Sequence, residues 1–78
     1  MSNFLSKEEI SYSAGFGAAK DGMYPVPQWC ETFRSITENA DTSYKYMMEL
    51  QWYTGYRAAI ASMENLLKVK EYAAKLKQ

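Results

Sequence analysis

The chain has 78 residues, with one cysteine (Cys30), no histidine, and nine basic side chains balanced by nine acidic ones. A chain this short supports one small core. The lone thiol excludes an internal disulfide, the missing imidazoles exclude a Cys/His zinc site and a histidine general base, and zero net charge speaks against a general binder of free DNA, which carries a basic excess.

The first element is predicted from its entry signal. In Leu5-Ser6-Lys7-Glu8-Glu9-Ile10, Ser6 stands where it can cap the amide of Glu9. Glu9 can reach back to Ser6, and Leu5 and Ile10 are spaced as a hydrophobic staple. The helix is expected from Lys7 to about Lys20, with Gly22 ending it in a left-handed turn. Two glycines lie inside it, each costing roughly 1 kcal/mol against alanine. Ser11, Gly15 and Ala19 share one face, and Ser13, Gly17 and Ala18 another. Small residues at that spacing let a second helix approach closely, which is the reason we assign to the glycines.

Pro25 and Pro27 then forbid regular helix and bias Tyr24 and Val26 toward extended backbone. A second helix is predicted from Gln28 to about Glu38, carrying Trp29, Cys30, Phe33 and Ile36 on its apolar side. Asn39-Ala40-Asp41-Thr42 is a polar break with Asp41 or Thr42 as the next cap. No proline follows. Tyr44, Met48, Trp52, Gly55/Tyr56, Ala59, Met63 and Leu66/Leu67 form one stripe, continued by Val69, Ala73 and Leu76. This reads either as one long helix or as two, 43–65 and 66–77, joined near 62–66. Glu64–Lys68 and Glu71–Lys75 are favourable pairs four apart.

These elements predict an all-α fold: a compact three- to four-helix domain over 1–78 with a long C-terminal helix. The first helix and the long one are expected to pack as a close antiparallel pair covered by the second. The expected core is Ile10, Ala14, Gly17, Trp29, Phe33, Ile36, Met48, Trp52, Gly55, Ala59 and Met63.

Charge divides along the chain. Residues 1–49 hold four basic and seven acidic side chains, 4 − 7 = −3; residues 50–78 hold five and two, 5 − 2 = +3. Either the halves attract each other within the fold, or the C-terminal part, ending in Lys75 and Lys77, meets an acidic partner. The unpaired thiol points to a reducing compartment, the cytoplasm. The segment MSNFLSKEE lacks the basic and apolar regions of a signal peptide, and no window approaches the ~18 apolar residues of a membrane span.

Catalytic chemistry finds no support. Glu8, Glu9, Glu31, Glu38 and Glu49 fall on polar helix faces. The stretch GFGAAKDG is no phosphate loop, and Cys30 has nothing nearby in sequence to lower its pKa. The chain is therefore expected to be no enzyme and to need no cofactor or metal. Aromatics are in surplus: Phe4, Phe16, Phe33, Trp29, Trp52 and seven tyrosines exceed what so small a core can hold. Tyrosine and tryptophan are the favoured anchors of binding surfaces. The predicted partner-binding surface is Tyr44, Tyr46, Met47, Tyr53 and Arg57, joined by Tyr24 from the proline loop.

Two segments, Gly15-Phe16-Gly17-Ala18-Ala19-Lys20-Asp21-Gly22 and Trp52-Tyr53-Thr54-Gly55-Tyr56-Arg57-Ala58-Ala59, together resemble the ribosome modulation factor family. Its patterns are Gly-aromatic-x-Ala-x-x-x-Gly and Trp-x-x-Gly-aromatic-Arg-x-Ala. The resemblance implies a helix pair in which Gly15 receives the ring of Tyr56 or Trp52 and Gly55 that of Phe16, and it implies ribosome binding. That family is strongly basic; this chain is neutral. Small size, the lack of catalytic groups and the aromatic surplus favour a small interaction module, of the phage- or plasmid-borne inhibitor or adaptor kind, that occludes or bridges a larger protein or ribonucleoprotein. A ribosome-associated factor is the alternative. Leu66, Val69, Ala73 and Leu76 offer a surface for a homodimer.

Overall fold

The computed structural model describes residues 5–76; Phe4 and Lys77 lie outside them. Three α-helices and a 3-10 turn occur in the order α1 (Lys7–Lys20), the turn (Pro27–Trp29), α2 (Glu31–Ile36) and α3 (Thr42–Leu76). There is no strand among the described residues, so the fold is all-α. The long C-terminal helix is present and unbroken: the predicted 43–65 and 66–77 segments are one element, giving three helices rather than four.

Local chemistry sets the ends of these helices. Ser6 Oγ accepts the amide of Glu9 at 3.2 Å, and its hydroxyl donates to the Glu9 carboxylate at 3.1 Å. The box therefore closes on the serine hydroxyl rather than on its amide, and Leu5 stays exposed, so the staple covers little. At the other end Gly22 takes φ +75°. The amides of Gly22 and Met23 then donate to Ala19 and Ala18 at 3.1 and 3.0 Å, satisfying two end carbonyls as a Schellman motif does. The carboxylate of Asp41 accepts the amide of Tyr44 at 2.8 Å and caps α3.

The middle departs from expectation. Helix α2 begins at Glu31, not Gln28, because the amides of Trp29 and Cys30 donate to Val26 and Pro27 at 3.0 and 2.9 Å, closing a 3-10 turn. Cys30 then turns extended, with φ −91° and ψ 119°. Trp29, expected in the core, is thereby swung out to 62% exposure. Thr37 Oγ1 donates to the Phe33 carbonyl at 2.7 Å and helps end the short helix.

Helices α1 and α3 run parallel, not antiparallel. Lys7 lies over the ring of Tyr44 at 5.8 Å, the Ser11 hydroxyl donates to the Met48 carbonyl at 2.6 Å, and Gly15 abuts Trp52. Each step of four along α1 matches a step of four along α3. Antiparallel neighbours follow from short connections. Here residues 21–41, containing the turn and α2, carry the chain back to the starting end before α3 begins.

At the crossing, each helix receives the other's backbone. A Cβ on Gly15 would stand 1.9 Å from the Trp52 carbonyl oxygen, and one on Gly55 1.9 Å from that of Tyr12. The notches hold carbonyls rather than rings, an arrangement suited to Cα–H···O contacts. Ser11, Gly15, Ala18 and Ala19 are the buried face of α1. Gly17 has nothing within 4 Å of its missing Cβ and takes no part.

The core that results is small: Ala18, Phe33, Met48 and Trp52, with Ala14, Cys30, Ile36, Tyr44, Tyr53 and Tyr56 packed around it. Gly55 and Ala59 are buried as expected, and Met63 is exposed. The Trp52 indole N–H is buried without a hydrogen-bond partner, a cost of about 1–3 kcal/mol that its packing offsets. Beyond Ala59 every described residue of α3 is exposed. The molecule is accordingly not compact. It measures 57 × 34 × 18 Å, with a radius of gyration of 15.9 Å, against about 11.5 Å for a compact chain of this length.

Candidate functional site

Where α3 leaves the body it forms, with the proline loop, an open cleft of about 510 Å³. Pro25 walls one side. Tyr53, Tyr56, Ile60 and Ala61 make the helical side, with Arg57 and Glu64 as its charged groups.

Two contacts hold that geometry. The Tyr56 ring stacks on Trp52 at 5.4 Å with 22° between planes, and its hydroxyl donates to the Met23 carbonyl at 2.5 Å. The loop is thus tied to the helix at the residue before Tyr24. Tyr53 meets the edge of Trp52 at 5.6 Å and 88°. A wall fixed before binding loses little side-chain entropy on contact. Gln28 Nε2 donates to Glu49 Oε1 at 2.8 Å, tying the 3-10 turn to the same helix one to two turns earlier.

Two exposed aromatics belong to the loop and turn that supply Pro25. Tyr24 is 74% exposed and meets Trp29 edge to face, centroids 6.3 Å apart and planes 74° apart. Two large amphipathic rings standing together in solvent are an apolar surface with polar tips, the composition enriched in binding hot spots. Along α3, Tyr46, Leu50, Tyr53, Arg57, Ile60 and Glu64 follow at alternating spacings of four and three, so they share one face. Tyr46 and Leu50 are exposed on it.

The predicted surface is therefore divided. Tyr53 and Arg57 line the cleft, and Tyr24 precedes Pro25 of its wall but is not among the lining residues. Tyr46 lies on the same helical face but roughly 10 Å before Tyr53. Met47 is exposed and points off that face. Tyr44 is corrected: it packs against the core under the Lys7 ammonium.

Trp29, Pro25, Ile60, Ala61 and Glu64 were not anticipated as site residues. The four-three recurrence from Tyr46 to Glu64 was a readable signal for the helical part. Nothing local announced that Trp29 would point outward.

The arrangement has an apolar floor with one guanidinium and one carboxylate beside it. An apolar floor of this kind suits an aliphatic or aromatic side chain, while the Arg57 guanidinium can donate to a carbonyl or carboxylate beside it. A second hollow, lined by Leu5, Tyr12, Ser13 and Gln51 together with Glu8 and Glu9, is the more polar one. Among the described residues no three His, Cys, Asp or Glu side chains gather as metal ligands, and no helix is long and apolar enough to cross a membrane. Comparisons with protein-family models, with curated proteins and with solved structures gave no match.

Proposed function

We propose that this chain is a small non-enzymatic interaction module that grips a larger protein through the cleft and the exposed aromatics of its loop, and acts by occluding or bridging that partner. The observation that carries this reading is the exposed Tyr24–Trp29 pair, carried by the loop that supplies Pro25 to a cleft whose helical wall is already fixed by Tyr56 and Tyr53. Its size and its surplus of surface aromatics suit an inhibitor or adaptor of the kind phages and plasmids encode. The lone thiol supports a cytoplasmic setting. The projecting half of α3 is a second surface, on which a second copy docks.

The test uses Tyr24→Ala with Trp29→Ala, and separately Arg57→Glu, as bait in bacterial lysate. All three side chains are exposed, so helical circular dichroism should be unchanged while the retained partner is lost. Undiminished capture by both variants contradicts the proposal.

One observation favours the alternative, a ribosome-associated factor: the two segments that carry the family resemblance are those that meet at the α1–α3 crossing. That alternative predicts cosedimentation with ribosomes that weakens steeply as salt rises. Salt-insensitive cosedimentation, or none, removes it.

A further inference from the structure

The face of α3 that grips α1 does not stop where α1 stops. Met48, Trp52, Gly55 and Ala59 are buried against the body at spacings of four, three and four. Ser62, Leu66, Val69, Ala73 and Leu76 continue in the same phase, at three, four, three, four and three. This is one heptad seam, of which the first half is an established helix–helix interface. The second half is uncovered: all of 60–76 is exposed, and α1 and its closing turn end beside Tyr56, where the Met23 carbonyl meets the tyrosine hydroxyl.

The charges say what kind of helix fits. Glu64, Lys68, Glu71 and Lys75 lie on the outer side and are spaced to pair within their own helix. Among the described residues of this half only Lys70 flanks the seam; Lys77, outside them, follows it seven residues later in the sequence. A partner selected by charge would need a charged flank to read; this seam offers a nearly neutral one.

We propose that a second copy covers it, its own 61–76 segment lying antiparallel in the seam. This inference rests on the second copy named above and is independent of the cleft. Parallel pairing is excluded by the body. Both α1 helices sit on the seam face of their own α3, so two copies side by side in the same direction would place them in the same space. Antiparallel pairing sends the two bodies to opposite ends.

The register follows from the flanks. Setting Leu66 opposite Val69 of the second copy, and Ser62 opposite its Ala73, places Lys70 beside Met63 and Asn65 beside Tyr72. The next register brings the two Lys70 side chains together. In the favoured register the tip of each α3 reaches the other's Ala59, where α1 ends. The overlap is about 24 Å, so little surface is buried and the dimer is a weak, concentration-dependent one.

Sedimentation equilibrium from about 10 μM to 1 mM should show the mass rising toward twice that of the chain. Leu66→Glu with Val69→Glu should weaken association by about 100-fold or more and leave the body's circular dichroism unchanged, because neither residue touches it. In a Cys30→Ser background, Ser62→Cys and Ala73→Cys chains oxidised together should form a covalent dimer. Each alone should not, since identical positions lie about 16 Å apart, too far for a disulfide. A monomer at every concentration overturns the second copy itself. A dimer whose Ser62→Cys chains cross-link alone overturns the antiparallel arrangement. Neither result touches the capture experiment at Tyr24, Trp29 and Arg57.

Discussion

Gly15 and Gly17 are two residues apart on one helix, and alanine should move stability in opposite directions at the two positions. At both, alanine gains about 1 kcal/mol of helix propensity. At Gly17 nothing opposes that gain, because no atom lies within 4 Å of the new methyl. At Gly15 the methyl would stand 1.9 Å from the Trp52 carbonyl oxygen and 2.8 Å from its carbon. Ordinary contact begins near 3.4 Å, so α1 and α3 must separate by about 1.5 Å. Neither obstacle can swing aside, since both atoms are backbone. Separation strains the 2.6 Å bond from Ser11 to Met48 and loosens Met48 and Trp52. Overpacking of this kind costs about 1–3 kcal/mol, and the weakened hydrogen bond about 1 kcal/mol more. After the propensity gain, Gly15→Ala should destabilise by about 1–3 kcal/mol, lowering Tm by roughly 5–20 °C in a domain of this size. Gly17→Ala should raise Tm by several degrees. Thermal unfolding followed by circular dichroism at 222 nm reads both. Shifts of the same sign would refute the notch reasoning, and Gly55→Ala, which meets the Tyr12 carbonyl in the same way, should follow Gly15→Ala.

Other expectations are smaller. Ser11→Ala removes a buried hydrogen bond between α1 and α3 while the Met48 carbonyl remains within its helix, and should cost about 1 kcal/mol in urea unfolding. Asp41→Ala loses the cap on the Tyr44 amide and should cost a similar amount, about 1 kcal/mol, whereas Asp41→Ser should restore most of it. Amide exchange should be slow across 48–59, which packs on α1, and much faster across 62–76 in dilute solution. Raising the protein concentration into the dimer range should slow the second group alone.

What was legible in the sequence is what local chemistry decides. Ser6, Gly22 and Asp41 mark their helix ends because a cap needs only the next few residues. The α1 bounds follow directly from them, and the need for close approach was visible in Gly15 and Gly55. What the notches receive was not. Rings and carbonyls make the same demand for a missing Cβ, and only the relative direction of the helices chooses between them. That direction depends on the path of residues 21–41, which is tertiary. The same gap explains Trp29. Its spacing with Phe33 and Ile36 fits a helix starting at Gln28, but the 3-10 bonds from Pro27 change its phase and turn the indole to solvent. Tyr53 and Arg57 were picked out for their chemistry, and both line the cleft. The cleft itself needed Tyr56 to bring the loop to the helix, a bond between residues 33 apart in sequence.

The claim that the aromatic cleft grips a larger protein is tested most directly by photo-cross-linking. A benzophenone side chain placed at Tyr24, the exposed loop residue before Pro25, should capture a defined bacterial protein in lysate, and excess unlabelled chain should compete it away. The same group at Ser13, in the polar hollow beside α1, should capture nothing competable. A specific adduct at Ser13 with none at Tyr24 would contradict the account.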